Sequence, residues 1–191
     1  MLCSTSKEDR IDVLDEQGIK TGEVLSRKEI HQLGKIHRTV HLYLFENESK
    51  KLLLQRRASN LDHYPGMFSI SVTGHVDAGE DSMQAVKREL QEELRIDPLL
   101  VKIDFLSSIR QDVVVTPTYI DRQFNDVYIG WADFKMEDIR FNPIEVTEVK
   151  LVPFSEFKDM VFNKKENFTL YEKECEQLLL FLKNTLNNNL A

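Results

Sequence analysis

One stretch, GHVDAGEDSMQAVKRELQEELRI at residues 74–96, concentrates the side chains that could bind metal and phosphate. Three of its carboxylates, Glu89, Glu92 and Glu93, are spaced so that they share one face of a helix. Like charges on one face repel each other, and a hard divalent cation turns that repulsion into affinity. The spacing therefore predicts a magnesium site, or a manganese site, whose remaining ligands come from substrate phosphates.

A glycine loop stands directly before these carboxylates. Gly74 and Gly79 let the backbone turn sharply and approach a ligand closely. Glu80 stands just before the predicted helix, and Arg88 can orient neighbouring carboxylates through paired hydrogen bonds. A charged helix alone is more often a solvated surface. The glycine loop and Glu80 at fixed offsets reverse that balance in favour of a site.

Apolar periodicity indicates which element carries the carboxylates. Four apolar residues recur at three- and four-residue spacing: Met83, Val86, Leu90 and Leu94. The pattern predicts a helix over residues 82–94, capped by Asp81 or Ser82, whose apolar stripe packs on a sheet.

Alternating and apolar runs along the rest of the chain predict the strands of that sheet. They read as two short strands about a turn at 17–18, and further strands at 38–46, 51–57, 67–73, 102–111, 124–134 and 147–154. Helices are expected at 27–34, closed by Gly34, and at 155–162 and 167–186. Strands with helices interspersed indicate an α/β sandwich and not a regular βαβ repeat.

Composition narrows the function classes. The 191 residues are 41% hydrophobic and 30% charged, a balance typical of one globular domain. The net charge of -7, with lysines and arginines scattered, argues against binding a nucleic-acid duplex. No apolar run reaches the ~18 residues of a membrane span. Cys3 and Cys175 form neither a disulfide framework nor a zinc motif, which fits a cytoplasmic protein.

The complete pattern resembles the Nudix box. It consists here of Gly74, Glu80, Arg88, Glu89, Leu90, Glu92, Glu93 and Ile96. One position departs, because the family usually has glycine where Arg95 stands. That departure puts the end of the helix in doubt, but not the catalytic set.

The resemblance implies a Nudix-type α/β/α sandwich with a mixed β-sheet over residues 36–158. It leaves 1–35 as an extension with a hairpin and a helix, and 159–191 as a helix with a polar tail. It implies hydrolysis of a nucleoside diphosphate linked to another moiety, or of a similar small-molecule diphosphate.

The resemblance also implies the roles of single residues. Glu89, Glu92 and Glu93 hold the metal, and the carbonyl of Thr73 can contribute. The predicted catalytic residues are Glu93, Glu80 and Arg88. The general base stays open between Glu93, Glu80 and a carboxylate elsewhere.

The surroundings of the box resemble the Nudix branch that includes type I isopentenyl-diphosphate isomerase. In those isomerases a cysteine precedes the Gly-His pair, whereas this chain has Thr73, whose hydroxyl is far too weak an acid to replace it. They bind metal through histidines, and His37 and His75 occupy matching positions, with Asp126 at an acidic one. Their box is usually degenerate, and this one is intact. We therefore expect a hydrolase, with an isomerase or a non-catalytic binding module as alternatives.

Four residues outside the carboxylate set are candidate substrate contacts. Arg56 and Arg57 point to opposite faces of their strand, so one of them could clamp a phosphate, or form a structural ion pair. His75 could touch metal or phosphate, or only bond the loop backbone. Glu148 could add a metal ligand or a base, or lie on a solvated strand edge. His41 is expected to be a packing residue. The N-terminal hairpin and C-terminal helices could mediate a homodimer.

Overall fold

The computed structural model describes residues 9–61, 64–163, 168 and 172–188, with side chains as far as residue 184. Cys3 and most of the predicted polar tail lie outside these residues. The strands are β1 (Arg10–Leu14), β2 (Lys20–Ser26), β3 (Ile36–Glu46), β4 (Leu52–Arg57), β5 (Phe68–Ser69), β6 (Val72–His75), β7 (Lys102–Thr116), β8 (Tyr119–Ala132) and β9 (Val146–Val152). The α-helices are α1 (Arg27–Leu33), α2 (Ser82–Leu94), α3 (Phe154–Phe162) and α4 (Glu172–Asn188).

Strand β3 is the centre of a nine-stranded mixed sheet. It runs parallel to β8, with Ile36 opposite Arg122 and Glu46 opposite Ala132, and antiparallel to β1, β4 and β6. Strand β7 extends the sheet beyond β8, and β9 extends it beyond β4.

The alternation of β3 divides the core between two layers of helices. Val40, Leu42 and Leu44 are fully buried on the face that packs against α2. Tyr43 and Phe45 belong to the opposite core, which α3 and α4 complete. The predicted α/β/α sandwich with a mixed sheet is therefore confirmed. Within the described residues, no helix is both long enough and apolar enough to cross a membrane.

The single strand predicted over 67–73 is wrong, because two strands occupy it. Strands β3 and β4 are registered only at Phe45 and Leu52, after which β6 continues beside β3 and β5 beside β4. Ser71 stands at the branch point. Its hydroxyl donates to the carbonyl of Leu53 at 2.6 Å and accepts from the amide of Leu44 at 2.8 Å. Those bonds satisfy backbone groups of β3 and β4 where these two strands separate. A cleft opens at this separation.

The N-terminal elements form as predicted. Ser26 and Glu29 form a capping box at the start of α1, and Gly34 ends the helix with a left-handed φ of 60°. Ile11 and Ile30 are buried in a small core of their own. The division of the chain at residues 35 and 158 stays a prediction.

Candidate active site

A cleft of about 510 Å³ opens where β5 and β6 separate. Carboxylates of α2 and Glu145 line it, and so do Arg27 and Arg57. A cation-binding wall that shares a cleft with two guanidinium groups is what a metal-bound diphosphate requires.

Helix α2 holds two of its carboxylates rigidly against the sheet. Leu90 and Leu94 are fully buried, so the adjacent turns of the helix cannot rotate away. Asp81 caps the helix by accepting from the amide of Gln84 at 2.8 Å. Glu89 and Glu93 are consequently buried at the cleft.

Gly74 is required by the position of Glu89. A Cβ atom built at residue 74 would overlap the carboxylate end of the Glu89 side chain. The residue does not have a positive φ, so steric room and not backbone conformation explains the glycine.

Arg88 organises the charges around the cleft. It donates to both oxygens of Glu80 at 3.1 and 3.0 Å, to Glu89 at 2.7 Å and to Glu92 at 3.2 Å. A further bond, 2.9 Å long, reaches the carbonyl of His75. Because both of its oxygens are bonded by Arg88, Glu80 fastens the loop before α2 to that helix.

Glu93 is the most buried of the carboxylates that α2 contributes to the cleft. Its Oε2 accepts from Nε2 of Gln55 at 2.9 Å and from the amide of Thr73 at 3.4 Å. Burial raises its pKa well above the ordinary value, and the nearby Glu89 raises it further. Burial also raises the pKa of Glu89 to about 7, although Arg88 opposes that shift.

Glu145 completes the group, whereas Glu148, the residue of this region that the sequence indicates as a candidate, pairs with Arg56. Ligand oxygens of Glu89, Glu93 and Glu145 all lie within 4.8 Å of one another. The side-chain amide of Asn142 donates to Glu145 at 2.7 Å. The backbone amide of Asn142 donates to the carbonyl of Glu93 at 2.8 Å. The turn before β9 is thereby fastened to the end of α2, a long-range contact that sequence spacing does not reveal.

The third predicted metal ligand, Glu92, is placed differently. Its side chain is 52% exposed, and it pairs with Arg88 at the outer edge of the cleft. The predicted metal set thus stays a prediction, of which the structure brings Glu89 and Glu93 together.

The two arginines of β4 separate as their alternation predicts. Arg57 lines the cleft, where burial lowers its pKa and the charge of Glu93 opposes that shift. Arg56 lies outside the cleft, 2.8 Å from Glu148 and over the ring of Phe68. The structure therefore places Arg57 at the cleft, and Arg56 and Glu148 form an ion pair outside it.

His75 belongs to a second group of possible ligands, with His31 and His37. One nitrogen of each ring lies within 4.8 Å of the others, and Nε2 of His31 is 3.0 Å from Nε2 of His75. Asp121 is 3.0 Å from Nδ1 of His31, at ion-pair distance but not in hydrogen-bond alignment. Imidazole nitrogens of this kind suit a transition metal better than magnesium.

The carboxylate group fits a hard divalent ion. Two buried acids and a third half-buried one lie within a few ångströms, and burial raises the pKa of all three. A bound cation would add positive charge to that of Arg88, and its binding would release protons.

Comparison with known proteins agrees with this geometry. Residues 35–171 match the model of the NUDIX domain. Nudix hydrolase 3 of Arabidopsis thaliana is 33% identical over 177 residues, which are 91% of this chain but 23% of that protein. The chain thus spans less than a quarter of that relative's length. An isopentenyl-diphosphate Delta-isomerase of Serratia proteamaculans is 29% identical over 146 residues, 76% of this chain and 78% of that one.

A crystal structure of the Deinococcus radiodurans protein DR0079 has the same fold. Its TM-score is 0.69 at 21% identity, over 88% of this chain and 96% of that one. With the domain match over most of its length, the chain belongs to the Nudix family. The predictions of that family and of a Nudix hydrolase enzyme are confirmed.

Proposed function

We propose that the chain hydrolyses the diphosphate linkage of a nucleoside diphosphate joined to another moiety, or of a similar small molecule, with magnesium as the cofactor and manganese as a substitute. The observation that carries this proposal is that one cleft holds three clustered carboxylates together with two arginines: Glu89, Glu93, Glu145, Arg57 and Arg27.

The three carboxylates would hold the divalent ion, and Glu92 could reach it from the edge if it left Arg88. When bound, the ion neutralises diphosphate oxygens and lowers the pKa of a water molecule. Arg57 and Arg27, which line the same cleft, would orient the phosphates.

The remaining charged residues have supporting roles in this proposal. Glu93 is the best-placed general base, because hydrogen bonds from Gln55 and Thr73 fix one oxygen and leave the other for a proton. Glu80 and Arg88 are positioning residues, since their bonds are made to each other and to the loop.

A panel of diphosphate compounds with magnesium tests the proposal through released phosphate species. Chelation by EDTA should abolish turnover, and magnesium should restore it. Turnover that ignores the chelator would contradict the metal assignment, and a panel without any cleaved compound would contradict the reaction.

Double-bond isomerisation of isopentenyl diphosphate is a second candidate, favoured by the histidine group and by the isomerase relative. Thr73 argues against it, because its hydroxyl cannot serve as the acid. We expect no dimethylallyl diphosphate from wild-type protein or from the Thr73→Cys variant. Efficient formation by the wild type would replace the hydrolase proposal.

We further propose a cytoplasmic location, since the buried Cys175 is a free thiol. The partner is a small molecule and neither a membrane nor a nucleic-acid duplex. A homodimer remains part of the proposal, and light scattering in solution would decide it.

A further inference from the structure

His41 is not only a packing residue, since it lines the cleft from β3 and contacts the C-terminal helix. Its Nδ1 lies 2.9 Å from both carboxylate oxygens of Glu174 on α4. Glu174 is completely buried, and it also accepts from the hydroxyl of Tyr43 at 3.0 Å and from Nδ2 of Asn125 at 2.9 Å. Three donors from the sheet thus converge on one carboxylate from a helix.

Docking of α4 does not explain this network. Cys175 and Leu178 on the same helix are fully buried in the apolar core, so α4 already has hydrophobic contacts that hold it. Burying an ion pair usually stabilises a fold no better than well-packed apolar side chains would. Helix α4 also starts at residue 172, beyond the 35–171 span of the domain match, so family membership assigns Glu174 no role.

The network fixes the imidazole of His41 in one orientation. Because Nδ1 donates to Glu174, the nitrogen left for the cleft is Nε2. His41 is the cross-strand partner of Thr73, whose amide bonds Glu93. The ring therefore borders the same cleft as the carboxylate group, one strand over from Thr73.

Other polar side chains share this floor of the cleft. Thr39 and Gln123 line it with His41, and the hydroxyl of Thr39 donates to Oδ1 of Asn125 at 2.7 Å. Asn125 also donates to Glu174, so the floor residues form one connected network. A hydrocarbon chain placed here would leave Nε2 of His41 without a partner, whereas the hydroxyl of Thr39 already bonds Asn125.

We propose that His41 contacts the moiety carried by the diphosphate, that Glu174 is the residue that positions it, and that this moiety bears hydroxyl or ring-nitrogen groups, as a sugar or a nucleobase does, and is not a prenyl chain. This inference rests on the proposed function and narrows its substrate class.

Two diphosphates of opposite character test it: ADP-ribose and geranyl diphosphate, each with magnesium. His41→Asn keeps an amide donor for Glu174 and removes the nitrogen that faces the cleft. KM from turnover, and Kd from calorimetry, should rise about tenfold or more for ADP-ribose, the effect expected when a buried polar partner is lost. For geranyl diphosphate, both constants should stay within about twofold of the wild type.

Glu174→Gln separates positioning from packing. It should raise the KM and Kd for ADP-ribose, as His41→Asn does. In a His41→Asn background it should raise neither constant further. The ¹⁵N signals of His41 should show loss of the fixed Nδ1–H tautomer. Leu178→Ala, one turn along α4, is the matched packing control. It should lower Tm without changing the ratio of the ADP-ribose Kd to the geranyl diphosphate Kd.

The inference would be overturned if His41→Asn weakened the binding of both ligands equally, or of neither. It would also be overturned if the wild type bound geranyl diphosphate more tightly than ADP-ribose, or did not bind ADP-ribose. ADP-ribose that binds through His41 without being cleaved would instead support this contact and contradict the proposed hydrolysis.

Discussion

Two groups of like side chains lie near the cleft, one acidic and one imidazole. Glu89, Glu93 and Glu145 form the first, and His31, His37 and His75 the second. Burial acts on both but in opposite directions. It raises the pKa of Glu89 to about 7 and lowers that of His37 to about 4. In each case the neutral form is favoured, because desolvation penalises whichever form is charged.

The difference between the groups lies in what surrounds them. The acids have a fixed counter-charge in Arg88 and hydrogen bonds from Gln55 and Asn142. In contrast, Nε2 of His37 is buried and has no hydrogen-bond partner among the described residues. The acidic group can therefore exchange protons for a cation, whereas in the imidazole group Nε2 of His37 keeps a lone pair without a hydrogen-bond partner among the described residues.

Glu93→Gln should have the largest effect, since it removes one charge of the acidic group and keeps the shape. We expect turnover to fall on the order of 10²-fold or more, the usual loss for a general base or a charge stabiliser, with a smaller effect on substrate affinity. Turnover on any accepted diphosphate, together with a melt in EDTA, measures it.

The fold should survive this change, because Leu90 and Leu94 and not Glu93 form the apolar stripe of α2. Glu156→Gln, an exposed change on α3, is the matched charge control. Near-wild-type turnover in the Glu93 variant would reduce the acidic group to a structural cluster.

The imidazole group should instead show its effect in the pH dependence of stability. The folded pKa of His37, about 4, lies below the ordinary value of 6.5, so the unfolded chain binds more protons between these values. The stability of metal-free protein should therefore fall as the pH drops from 6.5 to 4, by about 3 kcal/mol at ~1.4 kcal/mol per pH unit.

Urea unfolding of wild type and His37→Asn at several pH values isolates this contribution, because acidic residues affect both proteins alike. The two stability curves should converge as the pH falls. Parallel curves would show that His37 titrates normally and that the groups are not opposites.

Gly74→Ala tests how tightly the acidic group is packed. The added methyl would overlap Glu89, so we expect the free energy of unfolding to fall by about 1–3 kcal/mol and turnover to fall at least tenfold. In a Glu89→Ala background the same change should cost little stability, because the overlapping side chain is gone. An equal cost in both backgrounds would place the strain elsewhere.

Sequence reasoning recovered whatever depends on local spacing. The caps of α1 and α2, the facing of Glu89 and Glu93, and the opposite faces of Arg56 and Arg57 follow from helical and strand periods. It missed what depends on distant contacts. Glu145 joins the site through Asn142 and the end of α2, and Glu174 reaches His41 from a helix 133 residues away along the chain. The branch at Ser71 was missed because the apolar run over 67–73 has no break in pattern.

Arg95→Gly should have the smallest effect, and it addresses the one departure of the box from its family. Helix α2 ends at Arg95 in the left-handed conformation, with φ of 57° and ψ of 25°. That conformation costs a non-glycine residue roughly 1–2 kcal/mol, while glycine adds ~0.5–1 kcal/mol of unfolded-state entropy. The net expectation is a gain in stability of about 0.5–1 kcal/mol.

Arg95→Ala is the control, because it removes the same exposed side chain and keeps the strain, so only the glycine variant should gain stability. Burial raises the pKa of Glu145 and the charge of Arg95 opposes that shift, so any change in turnover should be equal in both variants. A gain in both, measured by urea unfolding, would trace the effect to charge and not to the backbone.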